Sequence, residues 1–250
     1  MSSVSVIVIV KNEEDNLRRC LRSVQWANEI IVLDSGSLDN SVAVAKEFTD
    51  KVFQTDWEGY GVQKQRALER ATSTWVLNLD ADESVTEELK TAICSAIEQD
   101  HVDAYRIPIL LNFYGKSLYY SWSPKRHIRL FKRLGAKYSD NIIHEAIILP
   151  PKAKTARLKK AIQHHSFQDI SHALHKMNTY SSYSATMRKK NRAPSFIKSL
   201  FGSWWMFFRC YIIQGGILEG RDGFVLAVLS AQGSFYRGIK MLYPDQKEFK

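Results

Sequence analysis

The first hundred residues alternate between short apolar runs and amphipathic stretches. VSVIVIV at 4–10 is continuously apolar and β-branched, as expected of a strand buried on both faces of a parallel sheet. A helix is predicted from Glu13 to about Val24, followed by a strand at EIIVL (29–33) and a helix from about Asp39 to Phe48. KVFQ (51–54) reads as a short strand, 61–71 as a helix and WVLNL (75–79) as a strand. Ser84 and Glu87 have the spacing of a capping box for a helix running to about Gln99. Strands and helices alternating at these spacings predict a doubly wound α/β sheet.

After residue 103 the texture changes. AYRIPIL (104–110) and HIRLFKR (127–133) are aromatic and basic strand-like pieces that suggest a mixed sheet region. Pro150-Pro151 and the basic run 152–160 mark a connection, and AIQHHSF (161–167) reads as a closing strand. Beyond Asp169 the pattern is helical, to about Lys190, then from Ser195 to Ile213, then from about Arg221 to Leu242. The expected organisation is an α/β domain over 1–167, in two halves (1–100 and 101–167), followed by a helical region over 168–250.

Charge sharpens this division. Residues 1–100 hold 10 Lys and Arg against 18 Asp and Glu, and residues 101–250 hold 25 against 8, so the halves carry −8 and +17. A basic half of that size attracts polyanions: nucleic acid, phosphorylated glycans or an anionic leaflet. SFIKSLFGSWWMFFRCYII (195–213) spaces Ile197, Phe201, Trp204, Phe208 and Tyr211 as one helical stripe. Such a stripe either packs on the protein or lies on a membrane, and the flanking Lys/Arg clusters favour an anionic leaflet. The apolar run Trp204–Ile213 is broken by Arg209 and falls short of the about 20 residues needed to span a bilayer. The first residues lack the features of a signal peptide, so a cytoplasmic, peripheral location on the inner membrane is expected. Cys20, Cys94 and Cys210 show no metal or disulfide spacing.

The candidate chemistry lies at strand ends. In LNLDADES (77–84) an apolar strand ends in Asp80 and Asp82, which extended backbone would point the same way. A DxD pair can be a solvated turn, or it can hold the divalent cation that offsets charge on a departing diphosphate. The loop Lys11-Asn12-Glu13-Glu14 after the first strand and DSGSLDNS (34–41) after the second would share its sheet edge. Asp34 with Gly36 can form a turn, and its carboxylate can also accept an N–H from a ligand. Trp57 to Arg66 sets Gly59 and Gly61 before a helix bearing Lys64 and Arg66, an arrangement able to approach a diphosphate.

These three ordered motifs resemble the family 2 glycosyltransferases of the GT-A fold, which share an "N-E" turn, a "D-x-G-S-x-D-x-(S/T)" turn and "D-A-D". The resemblance implies a Rossmann-like α/β domain with a mixed central sheet and, here, a C-terminal helical extension. It implies a UDP-sugar donor and Mg²⁺ or Mn²⁺, with Asp34 at the nucleoside, Asp80 near ribose and metal, and Asp82 on the metal. A late histidine, His164 or His165, would complete the metal shell. WEGYGVQK (57–64), the NIIHEAI segment (141–147) and GGILEGRDGF (215–224) are similar to lipopolysaccharide-core glucosyltransferases. That likeness makes Glu145 the expected general base, with Asp140 as the fallback, and implies glucose transfer to an inner-core heptose or similar lipid-linked acceptor. Transfer to a polyprenyl phosphate, a nucleic-acid binder and a catalytically silent nucleotide-binding module are the alternatives. The acidic Asp34, Asp80 and Asp82 edge speaks against nucleic acid, since without metal it would repel a phosphate backbone.

Overall fold

The structure, a computed structural model, describes residues 3–122, 125–139, 146–167, 169–189 and 194–243. The chain packs as two compact units, one of Met1–Leu110 with Lys125–His165 and the other of Leu111–Pro124 with Ser166–Lys250.

The first unit begins β1 (Val4–Val10), α1 (Glu14–Arg22), β2 (Glu29–Asp34), α2 (Ser41–Lys46), β3 (Val52–Gln54), α3 (Tyr60–Arg70), β4 (Trp75–Asp80), β5 (Glu83–Ser84) and α4 (Glu87–Gln99). It continues with β6 (Ala104–Phe113), whose last residues enter the second unit, β7 (Lys116–Leu118) in that second unit, then β8 (Lys125–Lys132), β9 (Lys137–Tyr138), β10 (Ile147–Ile148), β11 (Thr155–Arg157) and β12 (Ile162–His164). The main sheet runs β3-β2-β1-β4-β8-β6-β12-β5. The first four strands of that order are parallel, whereas β8 is antiparallel to both β4 and β6.

The uniform apolarity of β1 has a direct cause, because the strand is covered on both faces. Val4, Val6, Val8 and Val10 pack with Leu17, Cys20 and Leu21 of α1 and Leu89 and Ile93 of α4. Ile7 and Ile9 pack the other way, with Ala67 and Leu68 of α3 and with Phe131 of β8. The order β3-β2-β1-β4 reverses direction at β1, which makes the carboxyl ends of β1 and β4 a topological switch point, where open α/β sheets bind ligands.

Local details depart from the sequence pattern. Ser84 does not cap α4: it lies in β5 opposite Gln163, and Thr86 is the cap, accepting from the Leu89 amide at 3.3 Å. The cross-strand pairing claims Ser84, which leaves the next hydroxyl to end the helix. The strand expected over 161–167 is only Ile162–His164, and the helix expected over 39–48 only Ser41–Lys46, with the Asn40 amide donating to Glu14 Oε2 and the Ser41 amide to Asp39 Oδ1 at its start.

In the second unit Leu111–Phe113 of β6 pairs with β7. Three long helices follow: α5 (Ile170–Lys189), α6 (Phe196–Phe208) and α7 (Arg221–Leu242). The helix expected to run to Ile213 changes at Arg209 into one π-helical turn, Arg209–Ile213, before a 3₁₀ turn at Gly216–Glu219. Leu226 and Leu229 of α7 pack with Ala173 of α5 and with Leu111, Phe113 and Leu118.

Candidate active site

The parallel register sets the site. Val10 lies opposite Asp34 and Ile9 opposite Asp80, so the ends of β2 and β4 flank the end of β1. The turns beyond β1 and β2 are joined to each other. The Asn12 amide donates to Ser37 Oγ at 2.9 Å, Leu38 to Asn12 Oδ1 at 2.7 Å, and Glu13 to Ser41 Oγ at 3.0 Å. Asn12 takes a left-handed φ of 55° to make this turn, a conformation its short amide side chain tolerates. Asp34 is fully buried and accepts from the amides of Gly36 at 3.0 Å and Ser37 at 3.1 Å. Gly36 has φ 81°, and a Cβ there would meet nothing within 4 Å, so backbone conformation selects the glycine. Lys11 is exposed at the start of this turn. Thus Lys11, Asn12, Glu13, Asp34 and Gly36 are brought to one edge.

Asp80 sits at the centre of a group of charges. Its Oδ1 lies 2.9 Å from Lys64 Nζ and its Oδ2 2.7 Å from Arg129 Nη2. Arg129 Nη2 also reaches Glu83 Oε1 at 2.7 Å, and the Asp80 amide donates to Glu83 Oε2 at 2.9 Å. Burial works against the charge on Asp80, but Arg129 and Lys64 outweigh it and hold the carboxyl well below the ordinary carboxylate range. Burial pushes the neighbouring Glu83 up to about 7, with help from Asp80 and against the charge of Arg129. Two adjacent carboxyls are therefore driven apart in acidity, as happens at sites built for chemistry. The Asp80 side chain remains 37% exposed, open to a ligand, while Lys64 and Arg129 are 5% and 8% exposed.

Asp80 and Asp82 do not act as an alternating strand pair, because β4 ends at Asp80 and the chain turns through residues 81–82. Asp82 turns to β12 instead. His164 pairs with Glu83 across β5 and β12, and the His165 amide donates to the Asp82 carbonyl at 2.8 Å. That ladder brings His164 Nε2 to Asp82 Oδ2 at 3.0 Å, whereas His165 Nε2 meets Ser84 Oγ at 2.9 Å. Burial opposes protonation of His164, yet the hydrogen bond and charge of Asp82 raise its pKa above the usual 6.5. Burial, with Arg19 nearby, pushes His165 down to about 4.

Of the three expected metal ligands, Asp82 and His164 meet and Asp80 faces two cations. Among the described residues no three His, Cys, Asp or Glu side chains converge as a metal cage. A carboxylate oxygen beside an imidazole nitrogen nevertheless suits Mg²⁺ or Mn²⁺ when a diphosphate and water supply the other ligands.

The glycine loop before α3 leads to a buried Gly61, and one turn on, Lys64 reaches Asp80. Arg66 is directed elsewhere, to Asp56 Oδ1 at 2.8 Å and Glu58 Oε1 at 2.6 Å, and pins the loop before its own helix. Glu145, Asp140 and His144 lie outside the described residues. Arg129 and Glu83 are site residues that the motifs do not reveal. The available signal was a basic residue in the strand HIRLFKR on the same alternating face as Phe131, which is fully buried.

This parallel sheet edge, continued by an antiparallel β8-β6 extension, is the GT-A fold of nucleotide-sugar transferases. The chain belongs to glycosyl transferase family 2, whose model matches residues 5–154. It is similar to an uncharacterized glycosyltransferase, RT0209, of Rickettsia typhi, at 30% identity over 96% of this chain and 87% of the relative. It is also similar to the lipopolysaccharide core biosynthesis glycosyltransferase LpsC of Rhizobium meliloti, at 28% identity over 95% of this chain and 91% of LpsC. Among solved structures, S. aureus TarS 1–349 superposes with a TM-score of 0.51 at 15% identity, covering 99% of this chain and 92% of that one. These likenesses establish the fold and a family 2 glycosyltransferase enzyme.

Proposed function

We propose that the protein is an inverting, metal-dependent hexosyltransferase that moves glucose from UDP-glucose to a lipopolysaccharide inner-core heptose or a similar lipid-linked acceptor. The observation that carries this reading is the Asp82–His164 contact beside the Asp80–Lys64–Arg129 group at the edge flanked by Asp34. The similarity to LpsC supports the acceptor class.

A divalent cation held by Asp82 and His164 would offset charge on the departing diphosphate. Asp34, with Lys11, Asn12 and Glu13 framing the same edge, faces the nucleoside. Asp80 orients the ribose, with its own position set by Lys64 and Arg129. Gly61 lets the start of α3 approach the diphosphate, and Lys64 shares its positive charge between Asp80 and that group. Arg66 acts on the diphosphate only through the loop it holds. Glu145 takes the proton from the acceptor hydroxyl as its oxygen attacks the anomeric carbon opposite the leaving UDP. The acceptor is met at the cytoplasmic face of an anionic membrane, and no helix among the described residues is long and apolar enough to cross one.

A panel of sugar nucleotides, assayed for hydrolysis with Mn²⁺, Mg²⁺ or chelator and then for transfer to truncated core oligosaccharides, tests donor and acceptor separately. UDP-glucose turnover that requires cation and disappears in Asp82→Asn is expected. Turnover unaffected by chelator would remove the metal role, and no turnover of any sugar nucleotide would remove the reading itself.

A further inference from the structure

Helix α6 is built inside out for a protein in water. A helix of a soluble domain turns its apolar stripe inward and its small polar residues outward. In α6 the order is reversed. Phe196, Ile197, Leu200, Phe201, Trp204 and Trp205 are each at least 50% exposed and recur along one side of the helix. The middle of the side against α7 is made of small residues, between the ring contacts Phe196–Phe235 and Phe207–Phe224. Ser203 Oγ donates to the Ala231 carbonyl at 2.9 Å and Ser234 Oγ to the Gly202 carbonyl at 3.4 Å. A Cβ at Gly238 would stand 2.0 Å from Ser199 Oγ, so the two backbones approach as closely as glycine allows. Small residues between helices with large apolar ones outside are the pattern of helices packed in lipid, where no hydrophobic force holds the pair together.

The exposed surface continues past the helix. The π-helical turn at Arg209–Ile213 and the 3₁₀ turn at Gly216–Glu219 form an elbow that exposes Ile213 (59%) and Leu218 (69%), with Ile217 half-exposed. Buried Glu219 secures the elbow by accepting the Tyr120 amide at 2.9 Å and the Tyr119 amide. The sequence leading to this surface is basic, and of the two acids at its end Glu219 is buried and Asp222 pairs with Lys116. From Ile170 to Leu218 the sequence contains seven Lys or Arg and no Asp or Glu.

We propose that α6 and its elbow lie in the plane of an anionic lipid leaflet, with the Phe–Ile–Leu–Trp side and the tips Ile213, Ile217 and Leu218 inserted among the acyl chains. At 13 residues α6 is about 20 Å long, too short to cross a hydrocarbon core of about 30 Å. Trp204 and Trp205 suit the boundary between headgroups and chains, and Lys198 and Arg209, both exposed, suit the lipid phosphates. The inference deepens the membrane part of the proposed function and rests on it only for the identity of the acceptor, not for the surface.

The test is co-sedimentation of the full chain with phosphatidylcholine vesicles, with and without phosphatidylglycerol, alongside tryptophan emission. Partitioning is expected to be at least about tenfold stronger on the anionic vesicles, with a blue-shifted emission. Trp204→Ser with Trp205→Ser should weaken it about tenfold or more, and Ile217→Ser with Leu218→Ser about fivefold, by loss of inserted apolar area. Both double variants replace exposed side chains and should keep the wild-type melting temperature and UDP-glucose turnover. Equal partitioning of wild type and the tryptophan variant overturns the proposal. So does a wild-type dimer without lipid that the same variant converts to monomer, because the face would then belong to a second copy. Turnover without vesicle binding overturns the surface alone, and vesicle binding without turnover supports the surface while overturning UDP-glucose as the donor.

Discussion

Two buried carboxylates at opposite ends of the same sheet are treated in opposite ways. Glu29, at the amino end of β2, is closed on itself. Its oxygens take hydrogen bonds from Ser5 Oγ, the Thr72 amide at 2.9 Å, Thr72 Oγ1 at 3.1 Å and the Lys51 ammonium. Burial raises its pKa, but these donors outweigh it and the net shift is downward. Glu83, beyond the carboxyl end of β4, shares one guanidinium with Asp80 and is pushed up to about 7. Among the described residues Arg129 Nε is buried without a hydrogen-bond partner. The amino end uses hydroxyls, a backbone amide and Lys51 to fix one charge, whereas at the carboxyl end two carboxylates share one guanidinium nitrogen. A site that must exchange partners with a ligand can be built from the second arrangement and not from the first.

Removing the shared cation should have the largest effect. Arg129→Met takes the shared guanidinium from buried Glu83 and half-exposed Asp80, leaving Asp80 its contact with Lys64, and should cost about 3–5 kcal/mol, read by urea unfolding. A cost under about 1 kcal/mol would mean that the carboxyls are solvated rather than dependent on Arg129. Glu29→Gln should cost less, about 1–3 kcal/mol, and should leave UDP-glucose turnover intact, since it touches only the closed end.

The two ends should also respond to pH with opposite signs. Glu29 has a folded pKa below its ordinary 4.5, so its stabilisation is complete above 4.5 and is lost as pH falls through the folded value. Glu83 has a folded pKa raised to about 7, so its contribution is complete below 4.5 and declines as pH rises through about 7. Melting temperatures from pH 3 to about 8 should show Glu29→Gln flattening the acid limb and Glu83→Gln flattening the decline between 4.5 and about 7. Identical profiles for both variants would erase the contrast. Asp82→Asn should have the smallest effect on stability, within about 1 kcal/mol, while abolishing any rise in melting temperature caused by Mn²⁺ with UDP-glucose.

The sequence by itself determined the alternation of the first hundred residues, since β1, β2 and β4 are apolar on both faces and α1 repeats Leu17, Cys20 and Leu21 at helical spacing. It also determined that the "N-E", "D-x-G-S" and "D-A-D" turns end neighbouring strands, because turn chemistry is local and parallel register does the rest. Only the tertiary structure decided the partners. Arg129 meets Asp80 across 49 residues of chain and His164 meets Asp82 across 82. The short β5–β12 ladder that sets the histidine, and moves the α4 cap from Ser84 to Thr86, has no periodicity to read. Local patterns record which residues prefer a strand, a helix or a turn. Which charge faces which is an energy shared between distant segments, and it exists only once the sheet has formed.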